Sequence, residues 1–176
     1  MAVPLRVLPR IDAAVLRTTR RGLGETPAVP AARALSAFGE HAVGWVAVGG
    51  LGYATGRRRQ DWAVGVAGTL AAHAAAVVVK RLVRRPRPVF TDVPALVRTP
   101  SQLSFPSAHS CSTAAAAIGF APMLGGPVVL GVTGLMLLSR VLLGVHYPSD
   151  VVAGAALGAT VATVTRRRLL GSGRKA

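Results

Sequence analysis

The 176-residue chain has few acidic side chains, few aromatic side chains and almost no cysteine. Only 6 Asp and Glu stand against 21 Lys and Arg, and charged residues make up 15% of the sequence, below the roughly 25% of soluble domains. The single cysteine, Cys111, excludes an intrachain disulfide. Because 51% of the residues are hydrophobic and the mean hydropathy is +0.48, the composition indicates a membrane protein.

The net charge of +15 does not indicate a nucleic-acid-binding protein. Its basic residues do not alternate with aromatic ones, as they often do on nucleic-acid surfaces. They flank the apolar runs, as at residues 57–59, 80–87 and 166–168. This placement favours contacts with lipid headgroups and topology signals. We therefore expect membrane lipids as partners and no nucleic acid, while the oligomeric state is left open.

Apolar runs without Lys, Arg, Asp or Glu recur along the chain, each somewhat shorter than the roughly 20 residues of a typical span. Snorkelling of the flanking arginines compensates for the shortfall. The five predicted spans cover residues 40–56, 62–83, 108–123, 127–145 and 149–166. The expected fold class is all-α, a polytopic membrane helix bundle with about five transmembrane helices. Gly154 and Gly158, at GxxxG spacing, would allow close helix packing.

The segment before the first span is mixed in character. Apolar positions within 11–16 are flanked by arginines, which predicts a short amphipathic helix lying in the membrane interface. A second short helix is predicted over 31–38, after a Gly- and Pro-containing break. The expected organisation is an N-terminal amphipathic interfacial segment (1–38), a transmembrane domain (39–170) and a basic tail (171–176).

Three polar clusters fall at one membrane face when the predicted crossings are counted: residues 80–88, 105–110 and 139–150. Ionisable residues in membrane segments commonly mark function. We expect a multi-pass protein of the cell membrane, with the side of this polar end undecided. Arginine triplets at the opposite end favour an external site, whereas six arginines before residue 38 oppose the translocation of that segment.

The polar clusters contain the groups of an anion site. Ser107 is a suitable N-cap, so the free amides of residues 108–110 would bind an anion with help from the helix dipole. Arg87 and Arg140 each present a planar fork to phosphate oxygens, and Lys80 presents a point charge. Together these residues predict a phosphate-binding site.

Two histidines, His109 and His146, supply the groups that phosphoryl chemistry still needs. One imidazole can attack phosphorus while another protonates the leaving oxygen. A buried carboxylate such as Asp150, near one histidine, would fix its tautomer and stabilise the imidazolium form. Two His and one Asp could in principle bind zinc, but the surrounding cations would repel it. We therefore predict no metal and no cofactor.

These positions resemble, in order and spacing, the signature of the type-2 phosphatidic acid phosphatase family. That family includes membrane lipid phosphatases and the vanadium haloperoxidases. The matching motifs are Lys80-x6-Arg87-Pro88, Pro106-Ser107-Ala108-His109 and Ser139-Arg140-x5-His146-x3-Asp150. One residue departs from the usual pattern, since the family commonly has Gly at the position of Ala108. The amide donor survives this change, so we expect it to affect fit and not chemistry.

The resemblance implies a role for each matching residue. His146 would be the nucleophile that forms a phosphohistidine, Asp150 would orient it, and His109 would protonate the leaving alcohol. The phosphate oxygens would be held by Lys80, Arg87, Ser107, Arg140 and the amide of Ala108. The resemblance implies metal-free hydrolysis of a phosphomonoester. It also identifies the transmembrane domain, residues 39–170, as the phosphatase domain.

A second resemblance concerns the substrate. The stretches LSAFGEHAVGW, AAHAAAVVVKR and LSFPSAHS are similar to those of actinobacterial decaprenylphosphoryl-phosphoribose phosphatases, which serve arabinan precursor synthesis in the cell wall. This implies conversion of decaprenylphosphoryl-5-phosphoribose to decaprenylphosphoryl-ribose. The alternatives are polyprenyl-diphosphate, phosphatidylglycerophosphate or phosphatidate phosphatases. A non-catalytic component that binds or translocates a lipid phosphate is the alternative of another class.

Further polar residues are candidates for contact with the substrate headgroup: Arg84, Arg98, Glu40 and His41. Each has a simpler interpretation as well. Arg98 is equally consistent with a solvated loop charge, and Glu40 and His41 with a helix cap. Arg84 and its neighbour Arg85 are expected to snorkel or to set topology. His73, in the middle of a predicted span, is expected to be a hydrogen-bonded packing residue.

Overall fold

Residues 8–171, the part of the chain that the computed structural model describes, fold into seven α-helices without a β-strand. The helices are α1 (Leu8–Leu23), α2 (Ala28–Gly39), α3 (Val43–Ala54), α4 (Arg59–Val83), α5 (Ala108–Leu124), α6 (Gly126–Leu142) and α7 (Pro148–Gly171). A 3₁₀ turn, Glu40–Ala42, joins α2 to α3. The predicted all-α class is thus confirmed, and the predicted basic tail lies almost wholly outside the described residues.

The predicted spans correspond to helices α3 to α7, with two informative differences at their ends. The first span starts later than predicted, because His41 and Ala42 have left-handed backbone angles (φ 48° and 63°) that break the helix. The fourth span, predicted to reach residue 145, ends at Leu142. The chain turns there at Gly144, whose φ of +72° suits a residue without a side chain.

Helix α5 lies at the centre of the bundle, packed between α4 and α7. A Cβ on Gly158 of α7 would lie 1.9 Å from the carbonyl oxygen of Cys111 in α5, and one on Gly154 would lie 2.5 Å from that of Ser107. No side chain fits at these distances, so both positions require glycine. The GxxxG spacing therefore brings the backbone of α7 against the start of α5, as the sequence predicts.

Helix α4 is the one described helix that is both long and apolar enough to cross a membrane, with 25 residues and a mean hydropathy of 1.8 in its most apolar window. Helix α6 is apolar but has 17 residues, about 25 Å at 1.5 Å per residue, against a hydrocarbon core of about 30 Å. Large apolar side chains on the outside of the bundle are exposed, among them Leu51, Leu70, Leu130 and Val152. These features favour a membrane helix bundle, while the count of five spans stays a prediction.

Helix α1 covers the end of the bundle where the polar motifs lie. It packs against α6 and α7 and buries Asp12, Leu16 and Arg20. Its outer side exposes Ile11 and Val15. Helix α1 thus contributes a buried polar face to the fold, and its interfacial location stays a prediction.

Candidate active site

The three motifs meet at one end of the bundle around a cavity of about 280 Å³. Residues from all three motifs line it: Lys80, Arg87, Ala108, His109, Arg140 and His146. The remaining two predicted site residues, Ser107 and Asp150, are fully buried beside it. The structure therefore brings together side chains that lie up to 70 positions apart in sequence.

Ser107 is the N-cap of α5, as predicted. Its Oγ accepts a hydrogen bond from the backbone N–H of Ser110 at 3.3 Å, and its own N–H donates to the carbonyl oxygen of Asp150 at 3.0 Å. The second bond ties the start of α5 to the start of α7. Because this hydroxyl also accepts from the Ser110 hydroxyl at 3.0 Å, its contact with phosphate stays a prediction. The N-terminus of α5 lies beside the cavity, a position that suits an anion, and binding by its first amides stays a prediction.

Lys80 and Arg87 are held in place by backbone carbonyl groups. Lys80 Nζ donates to the carbonyl oxygens of Leu103 at 3.0 Å and Ser104 at 3.2 Å. Arg87 donates to those of Ser101 and Val145, both at 2.7 Å. These bonds fix the direction of both side chains without neutralising them. Burial lowers the pKa of Arg87 below its ordinary value, outweighing the opposing effect of nearby carboxylates.

Arg140 is 2% exposed, and its Nη2 has no hydrogen-bond partner. Its Nε donates to the Ser139 hydroxyl at 3.2 Å. Among the described residues, none of the three cations Lys80, Arg87 and Arg140 forms an ion pair within 4 Å. Uncompensated buried charge is costly. The cavity is thus suited to an anionic ligand, as the sequence predicts, and the binding of phosphate stays a prediction.

His146 faces this cationic wall with a defined tautomer. Its Nε2 lies 3.1 Å from Arg87 Nη1, and because a guanidinium only donates, Nε2 carries the lone pair. Its Nδ1 lies 3.6 Å from Asp150 Oδ2, longer than a hydrogen bond, and has no other partner. Burial, partly opposed by Asp150, lowers the pKa of His146 to about 4. The imidazole is therefore neutral at pH 7, with a nucleophilic nitrogen toward the cations.

Asp150 is fully buried and satisfied on both oxygens. Its Oδ2 accepts the backbone N–H of Tyr147 at 2.9 Å, and its Oδ1 accepts from Arg85 Nη1 at 2.8 Å. Arg85 also donates through Nη2 to Asp12 Oδ2 at 2.8 Å. The expectation that Arg85 merely snorkels or sets topology was wrong, because its guanidinium binds two buried carboxylates. Neither Arg85 nor Asp12 was identified from the motifs.

His109, in the first turn of α5, packs against α2. Its Nε2 lies 3.1 Å from the Ser36 carbonyl oxygen, which only accepts, so this nitrogen is protonated. The Glu40 carboxylate lies 3.7 Å from the same nitrogen. A Cβ at Gly39 would come within 2.8 Å of the His109 ring, so the glycine permits this close approach. The predicted acid thus has a proton on Nε2 and a carboxylate nearby.

The candidates for headgroup contact divide between the cavity and the surface. Arg98, Glu40 and His41 line the cavity, whereas Arg84 is exposed outside it, at the C-cap of α4. His73 also lines the cavity, and its buried Nδ1 has no hydrogen-bond partner. The expectation of a hydrogen-bonded packing residue is therefore wrong for that nitrogen. Among residues 8–171, no three His, Cys, Asp or Glu side chains are grouped to hold a metal ion, and metal independence stays a prediction.

The all-helical bundle and the three converging motifs define a class of protein. Comparison with known protein families identifies that class. Residues 62–173 match the PAP2 superfamily, and the chain belongs to that family. The decaprenylphosphoryl-5-phosphoribose phosphatase of Mycobacterium tuberculosis is 51% identical over 158 residues, which cover 89% of each chain. That of Mycolicibacterium smegmatis is 51% identical over 148 residues, covering 83% of this chain and 82% of the relative. Both resemblances drawn from the sequence are thus confirmed.

Solved structures share the fold. The transmembrane PAP2 type phosphatidylglycerolphosphate phosphatase from Bacillus subtilis superposes with a TM-score of 0.76, at 21% identity, over 93% of this chain and 86% of that one. Aquifex aeolicus LpxE superposes with a TM-score of 0.72, at 19% identity, over 89% and 95%. The helix bundle is therefore the architecture of membrane PAP2 phosphatases.

Proposed function

We propose that the chain is an integral-membrane lipid-phosphate phosphatase that hydrolyses a phosphomonoester through a phosphohistidine on His146. One observation carries the proposal: two buried cations, Lys80 and Arg140, and the half-buried Arg87 line a cavity without an ion pair, and a neutral histidine directs its lone pair toward Arg87. A dianionic phosphate supplies the missing negative charge. The curated relatives support the same reaction class, since both are named as phosphatases.

In the first step, His146 Nε2 attacks phosphorus and the bond from phosphorus to the ester oxygen breaks. Arg87 transfers its hydrogen bond from Nε2 to a phosphate oxygen as the substrate enters. Lys80, Arg140 and the first amides of α5 stabilise the charge on the equatorial oxygens. His109 in its imidazolium form, with both ring nitrogens protonated, gives one proton to the leaving alcohol and becomes neutral, and Asp150 stabilises the cationic ring of His146.

In the second step, water attacks the phosphohistidine. His109, now neutral, takes a proton from that water, and the N–P bond breaks to release inorganic phosphate. Both residues return to their starting protonation states, so the cycle balances without a metal ion or a redox partner. Metal independence is accordingly part of the proposal.

The substrate we propose is decaprenylphosphoryl-5-phosphoribose, whose 5-phosphate is a monoester. The name and the 51% identity of the curated relatives support this choice over a phospholipid or a polyprenyl diphosphate. The cavity of about 280 Å³ suits a headgroup, and the exposed apolar side chains of the bundle suit the polyprenyl chain.

Glu40, His41 and His73 are among the polar residues that line the cavity beyond the phosphate site, and Arg98 adds a charge there. We propose that the first three contact the ribose hydroxyls and that Arg98 contacts the retained phosphodiester. The two left-handed residues at the α2–α3 break support this, since strained backbone is commonly retained at functional sites. Arg84 lies outside the cavity and is left out of this proposal.

We also propose that α3 to α7 each cross the cell membrane, with flanking arginines compensating for the short helices. The exposed apolar side chains on α3, α4, α6 and α7 support this arrangement. The tight packing of α5 between its neighbours explains why that helix exposes little apolar surface.

The test is phosphate release by detergent-purified protein in EDTA, with four lipids compared: decaprenylphosphoryl-5-phosphoribose, undecaprenyl diphosphate, phosphatidylglycerophosphate and phosphatidate. The expected result is preferential turnover of the phosphoribosyl lipid, abolished by His146→Ala. Turnover of another lipid would overturn the substrate and keep the reaction. Binding without phosphate release by the wild type would favour a non-catalytic component, and loss of activity in EDTA would contradict the metal-free mechanism.

A further inference from the structure

Helix α1, which lies outside the region matched to the family, brings a carboxylate to the catalytic end of the bundle. Asp12 is 2% exposed and lies in a helix that ends nearly 40 positions before the matched residues 62–173 begin. We propose that Asp12 is a positioning residue for His146, acting through Arg85 and Asp150. The inference rests on the roles proposed above for His146 and Asp150.

The connection from Asp12 to His146 is short, with both carboxylates buried and the Arg85 side chain 25% exposed between them. Arg85 donates one hydrogen bond from Nη2 to Asp12 Oδ2 and another from Nη1 to Asp150 Oδ1, both at 2.8 Å. Asp150 then presents its second oxygen, Oδ2, to Nδ1 of His146 at 3.6 Å. The guanidinium also lies 4.2 Å from the centre of the Tyr147 ring, which restricts its position.

Asp12 controls how Arg85 binds Asp150. A guanidinium beside a single carboxylate prefers a bidentate pair that occupies both oxygens. Because Asp12 holds Nη2, Arg85 makes a one-oxygen contact, and Asp150 Oδ2 stays available to His146. Without the Asp12 charge, we expect Arg85 to turn toward both oxygens of Asp150. Asp150 would then orient the proposed nucleophile, His146, less firmly.

Asp12 also fixes the first turn of α7, where Asp150 resides. Its Oδ1 accepts the Ser149 N–H at 2.9 Å, and its Oδ2 accepts the Ser149 hydroxyl. Asp12→Asn keeps a carbonyl oxygen for the Ser149 amide while removing the negative charge. This variant therefore separates the electrostatic role of Asp12 from its role as a cap.

A contact on the same helix provides a matched control. Asp92, in the loop before α5, pairs with Arg17 and Arg21 of α1 at 3.2–3.3 Å, with about 40% of its side chain exposed. This pair also docks α1 on the bundle, but it does not reach Asp150. If Asp12 served only to attach α1, Asp92→Asn and Asp12→Asn would act alike.

The experiment measures kcat, KM and the melting temperature in detergent for Asp12→Asn, Asp92→Asn, Asp150→Asn and the Asp12→Asn/Asp150→Asn double variant. We expect Asp12→Asn to lower kcat by about 10- to 100-fold, by analogy with the loss when an outer partner of a metal-bound histidine is removed. KM should stay within about twofold, because the residue does not touch substrate. Asp92→Asn should retain wild-type kcat. In the Asp150→Asn background, Asp12→Asn should change kcat by less than about threefold, because the connection is already broken.

Wild-type kcat in Asp12→Asn, or a loss that multiplies fully with that of Asp150→Asn, would overturn the inference. If Asp12→Asn fails to fold, Arg85→Gln replaces it in the double-variant comparison with Asp150→Asn. Losses of kcat that multiply fully in that comparison would overturn the inference equally. His146→Ala separates this inference from the proposed function. Turnover in His146→Ala would refute the proposed roles, whereas inactive His146→Ala beside fully active Asp12→Asn would refute the positioning role alone.

Discussion

At the scale of single residues, the site is defined by charge that the fold leaves uncompensated. Arg140 is 2% exposed with one nitrogen unpartnered, while Lys80 and Arg87 are held only by carbonyl groups and, for Arg87, by His146. Such an arrangement costs stability in the empty protein. Binding of a phosphate-like anion should recover that cost, which makes ligand-linked stability a direct readout of the site.

Orthovanadate, which mimics a transferring phosphoryl group, should therefore raise the melting temperature of the wild type in detergent. At 100 times its dissociation constant the expected stabilisation is about 2.7 kcal/mol. Arg140→Met should lose most of this shift, because it removes the fork that no lysine replaces. The control is the same titration with chloride in place of orthovanadate, in a buffer without sulfate. A vanadate shift of equal size in Arg140→Met would contradict the assignment of Arg140 to the anion site.

The pH dependence of turnover should follow His146. Burial holds its pKa at about 4 against an ordinary 6.5, so the neutral nucleophile persists as pH falls and is lost only as pH approaches 4. The acid limb of kcat/KM, which reports groups of the free enzyme, should accordingly lie below 6.5. Asp150→Asn removes the anion that favours the imidazolium form, so it should lower kcat and move this limb to still lower pH. A limb at 6.5 that Asp150→Asn leaves in place would contradict this assignment.

At the scale of elements, the packing of α7 on α5 sets the geometry between His109 and His146, the two histidines proposed as catalytic. Gly154 and Gly158 let α7 approach the backbone of α5, and the bond from Ser107 N–H to the Asp150 carbonyl closes the junction. The active site therefore depends on a helix contact that lies one to two turns below it.

Gly158→Ala should destabilise the protein by about 1–3 kcal/mol, because the added Cβ overlaps the Cys111 carbonyl oxygen and forces the helices apart. It should also lower kcat, since His109 and His146 move with those helices. Gly134→Ala on α6 is the matched control, because a Cβ there meets nothing within 4 Å. Equal stability and activity in the two variants, measured by thermal unfolding and phosphate release, would show that the contact is not tight.

The sequence predicts the local parts of the site well and its long-range parts poorly. Helix existence and the Ser107 cap depend on neighbouring residues and were anticipated. The GxxxG spacing predicted close packing of α7, but the partner helix, α5, was not predicted. Either Arg84 or Arg85 could point inward, depending on where α4 ends. A shift of the helix end by one residue would reverse the directions of the two side chains. With α4 ending at Val83, Arg84 turns outward in a left-handed conformation (φ 55°) and Arg85 turns toward the site. The motifs carried no signal for this.

At the scale of the whole molecule, the described helices gather all the motif residues at one end and leave apolar side chains exposed along the sides. Helix α1 and the loop 84–107 cover that end, joined by a hydrogen bond from Arg20 to the Pro94 carbonyl at 3.0 Å. Helix α2 is joined to the same loop by a bond from Arg33 to the Leu96 carbonyl at 3.2 Å. The pairing of Asp12 with Arg85 spans 73 positions. Such a contact has no local pattern, so only the assembled bundle reveals it.

The multi-pass arrangement predicts that the two ends of α4 lie on opposite sides of the membrane. Cys111 is buried, so Cys111→Ala provides a cysteine-free background for single labels at Arg57→Cys and Thr91→Cys, both at exposed positions. In intact cells, a membrane-impermeant thiol reagent should label one of these positions and not the other. Labelling of both would contradict the crossing by α4, and the labelled position identifies the side of the active site.

The most direct test of the central claim is to trap the phosphoenzyme. The wild type in EDTA is mixed with decaprenylphosphoryl-5-phosphoribose carrying a labelled 5-phosphate, quenched in alkaline detergent within milliseconds to seconds, and digested for mass spectrometry. The account predicts label on His146, stable to alkali and labile to acid, that is absent in His146→Ala and accumulates in proportion to enzyme. Turnover without any labelled histidine, or label on another residue, would contradict it.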